Sequence, residues 1–296
     1  MLTQSVGARV QRFFLLPIVV LLVSPWAHPQ EVGTLTLLKD SPLHVIRGVS
    51  VLQGVEGMRL RQGDILETGP AGTAQAQLEL SGGAVVELGP SSQLYLFSQS
   101  GSAAELVLLT GWLKGETTAG NYRYSNPLVT ATTKGGNVLL HATADTAEIF
   151  VEHGIATVSG GSAPVVSSPD KIFFTRKAGK PVVFAGRPSR DFIDGMPICF
   201  RDVLPSRLPA FEGKKPPTPK SDHEVSYAEI ERWLTLPPAW RRGFAVRFKP
   251  RLQDSAFRQA IEVNIAALPD WGPVLHPENF KTGPAPADKP SSPPGE

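Results

Sequence analysis

The sequence predicts a mainly β protein that ends in a small α-helical module. Three observations support this prediction. Short runs of alternating apolar and polar residues follow one another between residues 31 and 186, and a period of two is typical of half-buried strands. The 296 residues include 28 glycines and 28 prolines, which exceeds average usage and predicts frequent turns. Helical spacing of apolar residues begins only after residue 222.

The first 30 residues have the pattern of a secretory signal peptide. Arg9 and Arg12 precede an apolar run at residues 13–23. This run is shorter than the roughly 20 apolar residues of a transmembrane helix. We therefore expect cleavage near Ala27 and a periplasmic or secreted protein. A short uncleaved anchor in the inner membrane is the alternative.

The clearest predicted hairpin lies at residues 74–88. Ala76 and Leu78 fall on one face of its first strand. Residues 81–83 are Ser-Gly-Gly, which can adopt the positive φ angles of a tight reversal. Val86 then resumes the apolar face. Similar short runs continue to residue 184, so residues 31–186 are predicted to form one all-β domain.

Several motifs stand in a recognisable order along this segment. Residues 63–69 read Gly-Asp-Ile-Leu-Glu-Thr-Gly and lead into the hairpin, and residues 149–158 read Ile-Phe-Val-Glu-His-Gly-Ile-Ala-Thr-Val. In these motifs the segment from residue 33 to 180 resembles the FecR domain of bacterial envelope regulators. That family has a GD…TG turn before its hairpin and a later V-x-V-x-x-G-x-V-x-V step. Ser81-Gly82 stands here where the family usually has Asp-Gly.

The resemblance implies a twisted β domain, solenoid-like or sandwich-like, in the periplasm, where it serves signalling or envelope contacts. Regulators of this family also carry a cytoplasmic region that controls a sigma factor, ahead of a membrane span. Twelve residues precede the apolar run here, so we do not expect the sigma-regulating region or its function in this chain.

The rest of the chain is expected to differ from the β domain. Prolines are frequent in residues 187–222, which predicts an irregular connector because proline removes a backbone donor. Residues 281–296 carry several prolines and no large apolar side chain. This composition predicts a disordered tail.

Residues 223–280 are predicted to form a three-helix module. Ser226 followed by Glu229 is a capping box at the start of the first helix. Aromatic residues at every fourth position between 240 and 248 predict the second helix. Asp254 is a candidate N-cap of the third, which carries a stripe of apolar residues.

The sequence contains no recognised pattern for catalysis or metal binding. Its single cysteine, Cys199, cannot form an internal disulfide, and its six histidines lack the spacing of a zinc site. A GxSxG elbow and a P-loop are also missing from the sequence. The formal net charge is +2, which gives no long-range attraction for nucleic acid. We expect a protein that is not an enzyme and uses no cofactor.

Two groups of residues are candidates for binding. The first is a cationic group that could contact an anionic envelope component, or simply form a solvated helix face. The second is a group of aromatic residues that could contact a sugar or a partner protein, or pack in the core. The cations are Arg241, Arg242, Arg247, Lys249 and Arg251, and the aromatic residues are Trp112, Tyr95, Phe97 and Trp233.

Taken together, these patterns favour an exported, non-enzymatic envelope protein. Its FecR-like domain is expected to mediate protein–protein contact or signalling in the periplasm. A module that binds peptidoglycan or another polysaccharide is the alternative. The expected partner is an envelope protein, with peptidoglycan, another glycan or an anionic lipid surface as alternatives, and nucleic acid is not expected.

Overall fold

The computed structural model describes residues 30–160, 166–168 and 172–280. Strands account for 43% and helices for 25% of the described residues, which confirms the prediction of a mainly β protein with helices near its C-terminal end. Nearly all of the predicted signal peptide and the whole predicted tail lie outside the described residues. No helix in the described ranges combines the length and apolar character needed to cross a membrane.

The described residues contain sixteen strands in one branched sheet. The first nine are β1 (Glu31–Lys39), β2 (Leu43–Arg47), β3 (Ser50–Gln53), β4 (Arg59–Arg61), β5 (Ile65–Thr68), β6 (Gln75–Leu80), β7 (Val85–Leu88), β8 (Gln93–Ser100) and β9 (Ala103–Thr117). The others are β10 (Asn121–Ser125), β11 (Thr130–Ala142), β12 (Thr146–Ser159), β13 (Val166–Ser168), β14 (Ile172–Lys177), β15 (Val183–Ala185) and β16 (Ser221–Glu224).

The main path of the sheet runs β15-β14-β12-β11-β10-β9-β8-β5-β2-β3-β16. Off this path, β13 pairs with β12, and β1 pairs with β4 and β6. The branch continues from β6 to β7 and joins β9. The predicted hairpin at residues 74–88 is the antiparallel pair β6–β7.

The long strand β9 connects the two halves of the sheet. Its first part pairs with β8, and its second part, from Gly111 onward, pairs with β11 and β7. Gly111 has a φ of +90°, and a Cβ atom there would lie 2.4 Å from the Cα of Ser92. Only glycine fits this position. The hydroxyl oxygen of Ser92 accepts the N–H of Trp112 at 2.9 Å, which fixes the change of direction.

Both halves of the sheet contribute to one apolar core. Buried side chains come from the first half, such as Leu78 and Leu94, and from the second half, such as Leu140 and Ile149. These residues alternate with others on the opposite face of their strands. The face toward this core is the inner face, and the opposite one is the outer face.

All helices of the described residues follow β15 in the chain. They are α1 (Arg190–Gly195), α2 (Tyr227–Leu234), α3 (Pro238–Arg241), α4 (Phe244–Phe248), α5 (Ser255–Val263) and α6 (Gly272–Leu275). Strand β16 lies between α1 and α2. Short 3-10 helices occupy Ile198–Arg201, Leu208–Phe211, Lys249–Gln253, Ile265–Ala267, Pro269–Trp271 and Pro277–Phe280.

The helix caps follow the sequence pattern, but the second predicted helix is divided. The capping box of Ser226 and Glu229 starts α2, and the Asp254 carboxylate accepts the N–H of Phe257 at 2.9 Å at the start of α5. Between them, α3 and α4 replace a single helix and are separated at Gly243. Glycine has low helix propensity, so the chain can restart there in a new direction.

The helical module covers an apolar part of the outer face. Burial of each large apolar side chain contributes roughly 1.5–3 kcal/mol, so this contact holds the module on the sheet. The sheet supplies Ile46, Ile65, Tyr95, Val107 and Leu109, and the module supplies Val225, Ile230, Trp233, Phe244, Phe248 and Phe257.

The connector covers a polar part of the outer face. Lys114 of β9 is 1% exposed, and its ammonium group donates to the carbonyl oxygens of Phe200 at 2.9 Å and Asp202 at 2.7 Å. The same nitrogen lies 3.1 Å from a carboxylate oxygen of Glu116 and 3.4 Å from one of Glu152. A buried ammonium group requires such partners because burial removes its hydration.

Two residues of β6 hold the next part of the connector. The Glu79 carboxylate accepts the hydroxyl of Ser206 at 2.5 Å and the backbone N–H of Arg207 at 2.6 Å. The side-chain amide of Gln77 donates to the carbonyl oxygen of Pro205 at 2.9 Å. Main-chain groups of an irregular segment thus satisfy polar side chains on the sheet.

We predict that Lys114→Met lowers the free energy of unfolding by about 3 kcal/mol, because the carbonyl oxygens and the Glu116 carboxylate lose their buried partner. Urea denaturation of both proteins measures the difference. The control is Lys134→Met, since Lys134 is an exposed lysine of β11. Equal stability of the two variants would show that Lys114 does not anchor the connector.

Candidate functional site

Four polar residues form a row across four neighbouring strands. His44 of β2 pairs with Glu67 of β5, Glu67 pairs with Gln93 of β8, and Gln93 pairs with Thr110 of β9. Directly paired residues lie on the same face of a sheet. The amide of Gln93 donates to the Glu67 carboxylate at 3.0 Å. These four residues are hereafter the polar row.

The polar row lies beside the helical module and stays partly exposed. Ile46, Ile65 and Tyr95 are each two residues away from a member of the row and therefore lie on the same face of the sheet. The helices bury these three side chains. Each member of the polar row has intermediate exposure. The edge of the helical module therefore leaves the row open to solvent.

The polar row lines a groove that continues along the sheet. All four members of the row line one cavity of about 440 Å³, and a second cavity of about 510 Å³ adjoins it. Both cavities are lined by Pro70, Ser91, Thr110 and Arg232. Arg232 belongs to α2, and its guanidinium lies 3.5 Å from the Gln93 amide oxygen. These two cavities are hereafter the groove, and each has the size of a small-molecule site.

Glu67 is the acid that lines the groove, and its pKa is raised. Burial raises the pKa of its carboxyl, and the negative charge of Glu229 raises this pKa further, whereas the hydrogen bond from Gln93 lowers it. Burial also acts to raise the pKa of Glu229, but bonds from Ser226 and His223 outweigh it and lower that pKa. Glu229 therefore stays negatively charged beside Glu67.

Trp112 lies at the other end of the groove. Its indole stacks on the imidazole of His141, with ring centroids 4.0 Å apart and an interplanar angle of 15°. The ring of Phe192 from α1 lies 5.1 Å away. The Nδ1 atom of His141 lies 2.9 Å from a Glu148 carboxylate oxygen. Trp112 is 7% exposed, so His141 covers its ring and leaves no open sugar platform.

The other three aromatic candidates lie at the contact between the sheet and the helical module. Tyr95 is 8% exposed and Trp233 is fully buried, and their ring centroids are 6.0 Å apart. Phe97 is partly buried against the same cluster. These rings join the sheet to the helices, and the face that carries Tyr95 is covered by a second layer.

Two of the five candidate cations have acidic partners within the helical module. Arg241 lies 2.9 Å from a carboxylate oxygen of Asp270. Arg251 forms an ion pair with Glu224 and lies 3.2 Å from Asp254. The pairs of Arg241 with Asp270 and of Arg251 with Glu224 join separate segments of the helical module, so these arginines contribute to its packing.

The remaining three cations are also separated. Arg242 and Lys249 are exposed. Arg247 points into the sheet, where its guanidinium donates to carbonyl oxygens of Gly48 at 3.0 Å, Gly63 at 2.5 Å and Ile46 at 2.8 Å. The structure does not bring the five cations together in one patch.

Sequence reasoning did not single out His44, Gln93 and Arg232 as site residues, and Glu67 entered only as part of the GD…TG motif. Pairing register across β2, β5, β8 and β9 creates the polar row, and register is not visible in a single sequence. One signal was available in the sequence. Glu67 is a charged residue that follows the apolar residues Ile65 and Leu66 in β5, and it lies on the same strand face as Ile65, where that face changes from apolar to polar.

The groove offers hydrogen bonds and charge rather than a metal site. Among residues 30–160, 166–168 and 172–280, no group of three or more His, Cys, Asp or Glu residues is placed to hold a metal ion. A carboxyl, an imidazole, an amide, a hydroxyl and a guanidinium line the first cavity. Such a set can bind a polar ligand that carries donors, acceptors or charges.

No protein-family model and no curated protein matches the chain. Two crystal structures of a candidate anti-sigma factor from Parabacteroides distasonis have a coarse likeness to it. One is 10% identical with a TM-score of 0.38 and covers 43% of this chain and 62% of that chain. The other is 11% identical with a TM-score of 0.38 and covers 44% and 63%. The match spans less than two thirds of each of those chains, and a likeness at this level does not show a shared family.

We predict that Glu229→Gln lowers the pKa of Glu67, because a neighbouring negative charge is removed. Titration of the Glu67 side-chain carbon by NMR measures this pKa. Glu231→Gln is the matched control, since Glu231 is exposed on the same helix. An unchanged Glu67 pKa in Glu229→Gln would show that the two carboxylates do not interact.

Proposed function

We propose that the protein is an exported, non-enzymatic binding protein whose groove holds a polar segment of another envelope protein. The polar row is the observation that supports this proposal. It places four hydrogen-bonding side chains along one line across the sheet, next to the Arg232 guanidinium. Such a line suits an extended ligand with several polar groups.

The charges in the groove favour a protein segment over a neutral sugar. Glu67 and Arg232 carry opposite charges when both are ionised, and both line the first cavity. A polypeptide can present side chains of both signs to such a pair. In this proposal the FecR-like β domain provides the surface for contact or signalling in the periplasm, and the helical module borders the groove.

Binding of peptidoglycan or another polysaccharide is the second candidate. The stacked pair of Trp112 and His141 lines the second cavity. Aromatic rings next to amide and hydroxyl groups are common in sugar sites. His141 rather than Trp112 would be the ring in contact with a sugar, because it covers the indole.

Site-directed photo-crosslinking in cells tests the first candidate. A photoreactive residue in place of Pro42, an exposed residue of the groove, should capture one main envelope protein. The same residue in place of Lys180, an exposed turn residue that does not line the groove, is the control. Capture of the same proteins from both positions would contradict the proposal.

We predict that Arg232→Ala reduces this captured product by about tenfold, because a charged hydrogen bond to the ligand is lost. Arg242→Ala is the matched control, since Arg242 is an exposed arginine that does not line the groove.

Sequencing of the N-terminus of the mature protein tests export, and cleavage near Ala27 is expected.

The polysaccharide candidate has its own outcome. Purified protein would sediment with isolated sacculi, and a change of His141 to alanine would reduce sedimentation while Arg242→Ala would not. Capture of a protein from the groove without sedimentation would favour the first candidate.

A further inference from the structure

A cavity outside the groove brings together arginines that are far apart in the sequence. A cavity of about 350 Å³ lies where the β2–β3 turn and the β4–β5 turn meet α4. Arg47, Arg61 and Arg247 line it together with one acid, Asp64. This cavity is hereafter the arginine cavity. It shares no lining residue with the groove.

The single acid of this cavity is fully engaged. Arg47 donates from Nε and Nη2 to the two carboxylate oxygens of Asp64 at 2.9 Å and 2.6 Å. Its Nη2 also donates to the carbonyl oxygen of Arg59 at 2.8 Å, so the two N–H groups on Nη1 have no hydrogen-bond partner among the described residues. Asp64 also accepts the backbone N–H of Arg61 at 2.8 Å. The Asp64 side chain is 2% exposed. It neutralises Arg47 and has little capacity left for the other two guanidinium groups.

Arg247 is oriented without an acidic partner. Three of its N–H groups donate to the carbonyl oxygens of Ile46, Gly48 and Gly63. A guanidinium has five N–H groups, so two remain. Burial lowers the pKa of Arg247 against the opposing effect of the Asp64 charge, and no carboxylate within the described residues forms an ion pair with Arg247. The main-chain bonds hold the planar group in one orientation, which pre-organises its free donors.

Arg61 has free donors. Its guanidinium has no hydrogen bond or ion pair with any residue in the described parts of the chain, and the side chain is partly exposed. Three guanidinium groups against one carboxylate leave an excess of two positive charges around the cavity. A phosphate monoester carries a charge of about −1.5 to −2 at neutral pH, which matches this excess.

The size of the cavity indicates what the anion is attached to. Water occupies about 30 Å³ per molecule, so a cavity of about 350 Å³ is larger than a bare oxyanion requires. It falls at the lower end of the range for small-molecule sites, about 300–1,000 Å³. Gln62 lines the cavity and is exposed, and the volume beyond that of the anion can hold a polar group such as a sugar or glycerol.

We propose that this cavity binds a phosphate ester, with the phosphate oxygens held by Arg61 and by the free N–H groups of Arg247 and Arg47. Guanidinium groups bind phosphate through paired N–H donors, which gives geometric specificity as well as charge. The phosphate ester comes from a soluble phosphorylated sugar or from a phospholipid headgroup. The two sources have the same chemistry and are separated by the experiment.

Calorimetric titration of the purified full-length chain tests the proposal. The soluble probe is glucose 6-phosphate, and glucose is its uncharged counterpart. The membrane probe is a vesicle of phosphatidylcholine with phosphatidic acid, and a vesicle of phosphatidylcholine alone is its counterpart. Tighter binding of glucose 6-phosphate than of glucose supports the soluble source. Binding only to vesicles with phosphatidic acid supports the lipid source.

Variants of Arg61 and Arg242 locate the site. We predict that Arg61→Gln weakens binding of the phosphorylated probe by about tenfold, because charged hydrogen bonds to the phosphate are lost. Arg242→Gln removes the same charge from the helical module, outside the cavity, and should change binding less than about twofold. Because the Arg61 side chain makes no polar contact with the described residues, Arg61→Gln should retain the melting temperature of the unchanged protein.

Two results would overturn the proposal. One is that neither phosphorylated probe binds more tightly than its counterpart. The other is that Arg61→Gln and Arg242→Gln weaken binding equally, which would indicate attraction by overall charge instead of a site. Neither result affects the groove, so this test is independent of the proposed contact with an envelope protein.

Discussion

The outer face of the sheet has an apolar part and a polar part, and each part requires a different kind of segment to cover it. The positions of the helical module, the connector and the groove depend on this constraint. One part of this face is apolar and is covered by helices whose aromatic side chains pack on residues such as Tyr95. The other part carries Glu79, Lys114 and neighbouring polar groups. Helices would leave those groups unsatisfied, because a helix uses its own main-chain groups internally. The irregular connector instead offers free carbonyl and N–H groups, such as the carbonyl oxygen of Phe200.

The groove lies between these two covers. Arg232 of the helical module lines both of its cavities, and Trp112, which packs on Phe192 of the connector, lines the second. Neither cover extends over the polar row. Its position at the edge of both covers explains why the row of hydrogen-bonding groups stays partly exposed beside the covered parts of the outer face. The site is therefore a consequence of how the outer face is divided.

Local features of the fold could be predicted from the sequence, and long-range ones could not. The hairpin of β6 and β7, the capping box at Ser226 and the Asp254 cap depend on residues close together in the chain. The polar row depends on the register of four strands, and sequence alone does not fix register. The five cations between 241 and 251 were close in sequence, but the break at Gly243 and separate partners disperse them. Proximity in sequence therefore indicated neither the groove nor the arginine cavity.

Arg247 shows how one side chain can serve both packing and recognition. Arg247 and Phe248 are both residues of α4. The Arg247 guanidinium lies 4.8 Å from the centroid of the Phe248 ring. Its N–H groups bind the carbonyl oxygens of two turns of the sheet. These bonds hold α4 in place, and α4 packs in the same apolar cluster as α2, which carries Arg232. The position of Arg232 at the groove and the donors of the arginine cavity thus depend on the same docking of the helical module.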